Sequence, residues 1–241
     1  LVGRKNGTQV VMTSAFSALS NRFSPEELAY LYGVLQGPEP FLTSEFIAEA
    51  ADEILLYMPF EPAAEVAKRR AVICVRADSR LRGKAGRPLG LGTNLKRGSQ
   101  RAKDVHVVAR NTPYSHFFAV EDVHLSHPRY DGKASETIER AAFIMADAVT
   151  VLPYDPIRQR VLLVEQFRVA PFLRGDQSPW ILEPIAGRID PGETAESTAH
   201  REAQEEAGIE FSKLHLVGGY YPSPGAATEY IWSYVGIADL P

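Results

Sequence analysis

Three glutamates, Glu202, Glu205 and Glu206, stand at i, i+3 and i+4, a spacing that places them on one face of a helix, with Glu193 a few residues ahead. Like charges so spaced cost an isolated helix roughly a few tenths of a kcal/mol per pair. A positive partner offsets that cost, and a hard divalent cation held by oxygens is the chemistry such carboxylates suit. Arg201 lies four residues before Glu205. It is placed to pair with a carboxylate and hold it in position for the metal.

The local sequence supplies a loop and then a helix to carry these side chains. Asp190-Pro191-Gly192 is a turn signal. Thr194 can cap a helix, with Ser197 and Thr198 in its first turns. Ala195, Ala199, Ala203 and Ala207 form a small, close-packing stripe, and Gly208 ends the run as a C′ residue does. Around this helix the chain reads as short strands: 104–110, 116–125, 148–154, 161–167, 180–186, 214–221 and 229–236. Asp155 to Arg160 is a hairpin connection between two of them. Strands around one well-marked helix predict an α/β fold with a mixed sheet.

Residues 1–82 read as mostly helical. Ser24-Pro25-Glu26-Glu27 is a capping box with Pro at the first helical position, opening a helix to about Leu35. Thr43 and Ser44 cap a second helix to about Tyr57, and Pro62 opens a third that continues to Gly83. Residues 83–103, basic and rich in glycine, read as a linker. Residues 104–241 then form the second domain.

The net charge of −4 does not by itself point to a nucleic-acid partner. Lys68 to Lys103 nonetheless contains twelve Lys and Arg and one acid, Asp78. That stripe has no interleaved aromatics, and a solvated helix face paired with the acidic remainder explains it better than RNA or DNA binding. The single Cys74 excludes an internal disulfide and suits a reduced, cytoplasmic protein. No apolar run approaches the length of a membrane span. His124 and His127 sit at an odd spacing, which on a strand puts them on opposite faces and argues against joint ligation.

Gly187, five residues, Glu193, seven residues, then Arg201-Glu202-Ala203-Gln204-Glu205-Glu206-Ala207-Gly208-Ile209 resembles the Nudix box at every position. At roughly 5–7% usage per residue type, seven fixed identities coincide by chance less than about once in 10⁷ trials, so the pattern is specific. The segments Leu152 to Pro156, Glu165 to Arg168, Glu183 to Gly187 and Ser223-Pro224-Gly225 are similar to the ADP-ribose pyrophosphatase branch. The run from Ser223 to Val235 is similar to bacterial tellurite-resistance-associated Nudix proteins. Leu31-Tyr32-Gly33-Val34-Leu35 resembles the glycine loop of γ-glutamylcyclotransferase-like domains, although the capping box sets it inside a helix.

The resemblance implies an α/β/α sandwich and Mg²⁺-dependent hydrolysis, with Mn²⁺ as a substitute, of ADP-ribose or a related nucleoside diphosphate sugar to AMP and a sugar phosphate. It implies Glu202 and Glu206 as metal ligands, Glu205 as a third ligand or a bridge to a second ion, and the Ala186 carbonyl as a further donor. Arg201 completes the catalytic group. Arg168, Glu183, Ser223, Gly225 and Glu229 are the implied substrate-binding residues: Arg168 on a phosphate, Glu229 on the terminal ribose. Phe117, Phe118 and Tyr114 are all candidates to stack on adenine, and a plain packing role is open for each. The resemblance further implies a homodimer, and a longer domain whose continuation past Pro241 carries an acidic residue near the attacking water. A non-catalytic nucleotide-binding module is the alternative.

Overall fold

The computed structural model describes residues 14–37, 40–86 and 99–241. The expected linker falls largely in 87–98 and so lies mostly outside them. The chain divides into two compact units. One holds the described part of Leu1–Arg87 together with Ser99–Ala146, the other Asp147–Pro241.

In the first unit, α1 (Pro25–Leu35) starts on the expected capping box: Ser24 accepts from the Glu27 N–H, and the Glu27 carboxylate accepts from the Ser24 N–H. It buries Leu31, Val34 and Leu35. Gly33 lies inside it, where a Cβ would come 2.9 Å from the Ala63 Cβ, so the residue serves close helix packing. Thr43 caps α2 (Ser44–Ile54). The third expected helix is two, α3 (Ala63–Ala67) and α4 (Arg70–Ala85). The chain tightens at Lys68 and Arg69, whose N–H groups bond three residues back. Arg69 there reaches back to Glu61 at 2.8 Å and lies over the Tyr57 ring.

Strands β1 (His106–Ser115), β2 (Ala119–Ser126) and β3 (Ile138–Ile144) form an antiparallel meander in the same unit. The sequence reading joins residues 104–146 to the second domain, and β3 is absent from it. What binds the meander to the helices is a buried charge. Arg76 on α4 pairs with Glu53 on α2, and its Nη1 donates to the His116 carbonyl at 2.9 Å. Ser115 Oγ donates to the same Glu53 carboxylate. Part of the basic stripe is neutralised likewise: Arg80 and Lys84 pair with Glu49, and Arg82 with Asp78. Cys74 is buried in the helical core.

The second unit is built on a mixed sheet. Its strands are β4 (Ala148–Asp155), β5 (Arg160–Val161), β8 (Ile185–Arg188), β9 (Lys213–Tyr220) and β10 (Ile231–Ile237). β4 runs parallel to β10, while β9 and β10, β4 and β8, and β4 and β5 pair antiparallel. A separate two-stranded ladder joins β6 (Val164–Phe167) to β7 (Trp180–Glu183), with a short α5 (Val169–Arg174) between them. Pro184 splits the expected strand 180–186 into β7 and β8, since it has no N–H to give a ladder. Helix α6 (Ala195–Ala207) packs on β8 and β4. Its Ala199 and Ala203 are fully buried with Val149, Val151, Ile185 and Ile189. The α/β class with a mixed sheet is as expected. Among the described residues no helix is long and apolar enough to cross a membrane.

Candidate active site

Helix α6 starts where the sequence places it. Thr194 accepts from the Ser197 N–H, and Ser197 reciprocates to the Thr194 N–H. It ends on Gly208, whose φ of 62° is the left-handed conformation that glycine favours. With its alanine stripe turned into the core, Glu202 and Glu206 border that stripe and meet β8, while Arg201 and Glu205 stand farther round the helix.

Arg201 organises this side. Its Nε and Nη2 hold Glu193 at 2.9 and 3.0 Å, a bidentate pair. Nη1 reaches Glu202 at 2.6 Å and Glu205 at 3.1 Å, and Nη2 also donates to the Arg188 carbonyl at 3.2 Å. The expected pairing with Glu205 is present, but the main anchor is Glu193, which lies outside the expected catalytic group. Its signal in the sequence is the step of eight residues to Arg201, which brings the loop acid back over the second helical turn. Glu193 also accepts from Thr198 Oγ1 and from the Asp190 N–H. The arginine holds the Glu193 carboxyl below its usual range, and these carboxylates raise Arg201 above its own.

Glu202 and Glu206 converge on one short stretch of β8. The Ala186 N–H donates to Glu206 Oε2 at 3.2 Å. At Gly187 a Cβ would stand 1.8 Å from Glu202 Oε1 and 2.0 Å from its Cδ, so the missing side chain is the space the carboxylate occupies. Burial pushes the Glu202 carboxyl up, against the pull of Arg201, and Glu205 and Glu206 push the same way. Among the described residues no three His, Cys, Asp or Glu side chains already converge as a ligand set. Two carboxylates and the Ala186 carbonyl at one strand end still suit a hard cation, because Mg²⁺ takes few protein oxygens and keeps several waters.

Arg168 stands just before α5 and its side chain pairs with Glu183 at the end of β7, Nη2 to Oε2 at 2.6 Å. That bond raises the Arg168 guanidinium, and the Glu206 charge adds to the effect, so Arg168 feels the nearby carboxylate of α6. Ser223, Gly225 and Glu229 lie on the connection from β9 to β10. The Ser223 carbonyl closes a turn by accepting from Ala226 and Ala227. No hydrogen bond or ion pair among the described residues joins these three to α6. Burial raises the Glu229 carboxyl, and the buried Asp147 carboxylate raises it further. Tyr114, Phe117 and Phe118 belong to the first unit, where Tyr114 packs on His116 and Phe118.

Residues 145–239 match the model of the NUDIX domain. This segment is a Nudix domain. Over 136 residues the chain is 38% identical to the ADP-ribose pyrophosphatase of Escherichia coli (strain K12), covering 56% of this chain and 65% of that protein. It is 34% identical over 139 residues to the ADP-ribose pyrophosphatase of Haemophilus influenzae, covering 57% and 64%. A GDP-mannose pyrophosphatase of Klebsiella pneumoniae is 29% identical over 132 residues, covering 55% and 66%. The chain thus spans just under two thirds of the length of the curated relatives it matches. A solved ADP compounds hydrolase aligns with a TM-score of 0.45 and 22% identity, over 58% of this chain and 70% of that one.

Proposed function

We propose that this protein is a Mg²⁺-dependent Nudix hydrolase that cleaves the pyrophosphate of ADP-ribose, giving AMP and ribose 5-phosphate. The observation that carries the reading is the seating of Glu202 in the space of the absent Gly187 side chain, beside Glu206 on the Ala186 N–H. Such a seat has no use in a merely solvated acidic helix. The names of the relatives at 34–38% identity favour ADP-ribose as the substrate.

In this reading Glu202, Glu206 and the Ala186 carbonyl hold the cation, and Glu205 supports it. A bound Mg²⁺ neutralises pyrophosphate charge and lowers the pKa of a coordinated water. The chain's own work is positional. Arg201, clamped on Glu193, fixes Glu202 and Glu205 so that both are in place before substrate arrives. Arg168 supplies a planar donor for a phosphate, and Ser223, Gly225 and Glu229 line the sugar end, with Glu229 accepting from ribose hydroxyls. The protein acts as a cytoplasmic homodimer.

The similarity to GDP-mannose pyrophosphatases supports a second reading within the same chemistry, a different nucleoside diphosphate sugar. A panel of ADP-ribose, ADP-glucose, GDP-mannose and NADH, each with Mg²⁺, separates them. Preference for ADP-ribose is expected. No turnover on any of the four contradicts the hydrolase reading and leaves the nucleotide-binding module.

A further inference from the structure

Glu183 stands among the residues that the sequence associates with substrate, yet among the described residues its carboxylate accepts only from another side chain. In the ladder of β6 and β7, Val164 pairs with Glu183 and Phe167 with Trp180. Alternation puts Gln166, Arg168, Ile181 and Glu183 on one face. Arg168, just past the end of β6, folds back along that face, and Glu183 receives it side-on. Nε donates to Oε1 at 3.1 Å and to Oε2 at 2.9 Å, and Nη2 to Oε2 at 2.6 Å.

This geometry uses one edge of the guanidinium and leaves another. Nη1 makes no hydrogen bond among the described residues. The guanidinium is a rigid fork, so holding its Nε–Nη2 edge also aims the Nη1–Nη2 edge, which fits two oxygens of a phosphate. The arginine side chain is 42% exposed and the glutamate 23%, so the arginine is the more accessible partner. Glu183 is also anchored close to the metal carboxylates in sequence: only Pro184 and Ile185 separate it from Ala186, which bonds Glu206. An arginine on a flexible stem in the field of Glu206 would otherwise be drawn onto the carboxylates that have to hold the cation.

We propose that Glu183 is a positioning residue, which fixes the Nε–Nη2 edge of Arg168 so that its Nη1 end meets a phosphate of the nucleotide. The identity of the anion rests on the hydrolase reading above. The two effects of Glu183 on an anion have opposite signs. As a bare negative charge it repels phosphate, so its removal would tighten binding. As the holder of Arg168 it promotes binding, so its removal weakens it.

The test is ADP binding in Mg²⁺ buffer, by isothermal titration, to the full chain and to Glu183→Gln, Arg168→Ala and the double variant. Glu183→Gln is expected to weaken ADP by roughly tenfold, the scale of one lost charge-assisted hydrogen bond. The double variant is expected to bind no more weakly than Arg168→Ala alone, because Glu183 acts only through that arginine. Glu183→Asp keeps the charge on a shorter stem and is expected to fall between wild type and Glu183→Gln. It serves as the second variant if Glu183→Gln fails to fold. Unchanged or tighter binding by Glu183→Gln overturns the proposal, as do losses that multiply in the double variant. A wild type that binds ADP without hydrolysing ADP-ribose sinks the hydrolase reading and leaves the positioning role standing. A wild type that binds no ADP overturns both.

Discussion

Gly187→Ala should disable the site with little effect on the fold. Gly187 has no positive φ, so the backbone accepts alanine. The conflict is with one side chain: the new Cβ would lie 1.8 Å from Glu202 Oε1, 2.0 Å from Cδ and 2.6 Å from Cγ. No adjustment of a few tenths of an ångström relieves that, so Glu202 has to leave its seat. Leaving gives up its 2.6 Å bond to Arg201, in a partly exposed pair. Such a pair is worth up to about 1 kcal/mol, and the glycine-to-alanine change returns about 0.4–1 kcal/mol through the unfolded chain. Net stability therefore moves by less than about 1 kcal/mol, a melting shift within roughly 4 °C for a chain of this size. Catalysis pays far more. Losing one preorganised group that stabilises developing charge costs on the order of 10²–10³ in kcat, or about 2.7–4 kcal/mol. Initial rates of ADP-ribose hydrolysis, with a thermal melt on the same samples, measure both effects. Gly218→Ala is the control, since a Cβ there meets nothing within 4 Å. Gly187→Ala with a rate within about threefold of wild type would refute the idea that the glycine exists to seat Glu202.

Two further outcomes follow from charges outside the site. Glu53→Ala leaves Arg76 buried and unpaired, at a cost of about 3–5 kcal/mol. It should lower the melting temperature by more than about 6 °C, and an unchanged melt would show that the pair holds nothing. Asp155 is held down to about 2 from 3.8, chiefly by the Arg158 N–H, with the Arg158 side chain and the Ile157 and Leu240 N–H groups adding to it. A depressed folded pKa means that its stabilisation is complete above about pH 4 and is lost as the pH falls towards 2. Melting curves across that window should slope less steeply for Asp155→Asn than for wild type, and equal slopes would count against the assignment.

The site helix was legible because each of its signals is local. Thr194 with Ser197, the alanines at every fourth position and Gly208 all lie within the segment they organise. The three carboxylates follow from helical spacing alone. What the sequence hid depends on distant partners. The break at Lys68 and Arg69 accompanies Arg69 turning back to Glu61 and Tyr57. Strand β3 is mostly exposed, so Ile138 to Ile144 lacks the apolar alternation that marks a half-buried strand. The grouping of β1 to β3 with the helices rests on Arg76 meeting Glu53 and the His116 carbonyl, partners some 23 and 40 residues away. In the site, the pairing of Glu183 with Arg168 joins residues fifteen apart in sequence, a contact that no local signal marks.

The central claim is that Glu206, on the Ala186 N–H, is one of the carboxylates through which a divalent cation drives hydrolysis. Its direct test is the kcat of Mg²⁺-dependent ADP-ribose hydrolysis by Glu206→Gln beside wild type, with circular dichroism on both. The account predicts a folded protein with kcat reduced by on the order of 10² or more. Wild-type turnover by Glu206→Gln, with Mg²⁺ still required, would contradict it.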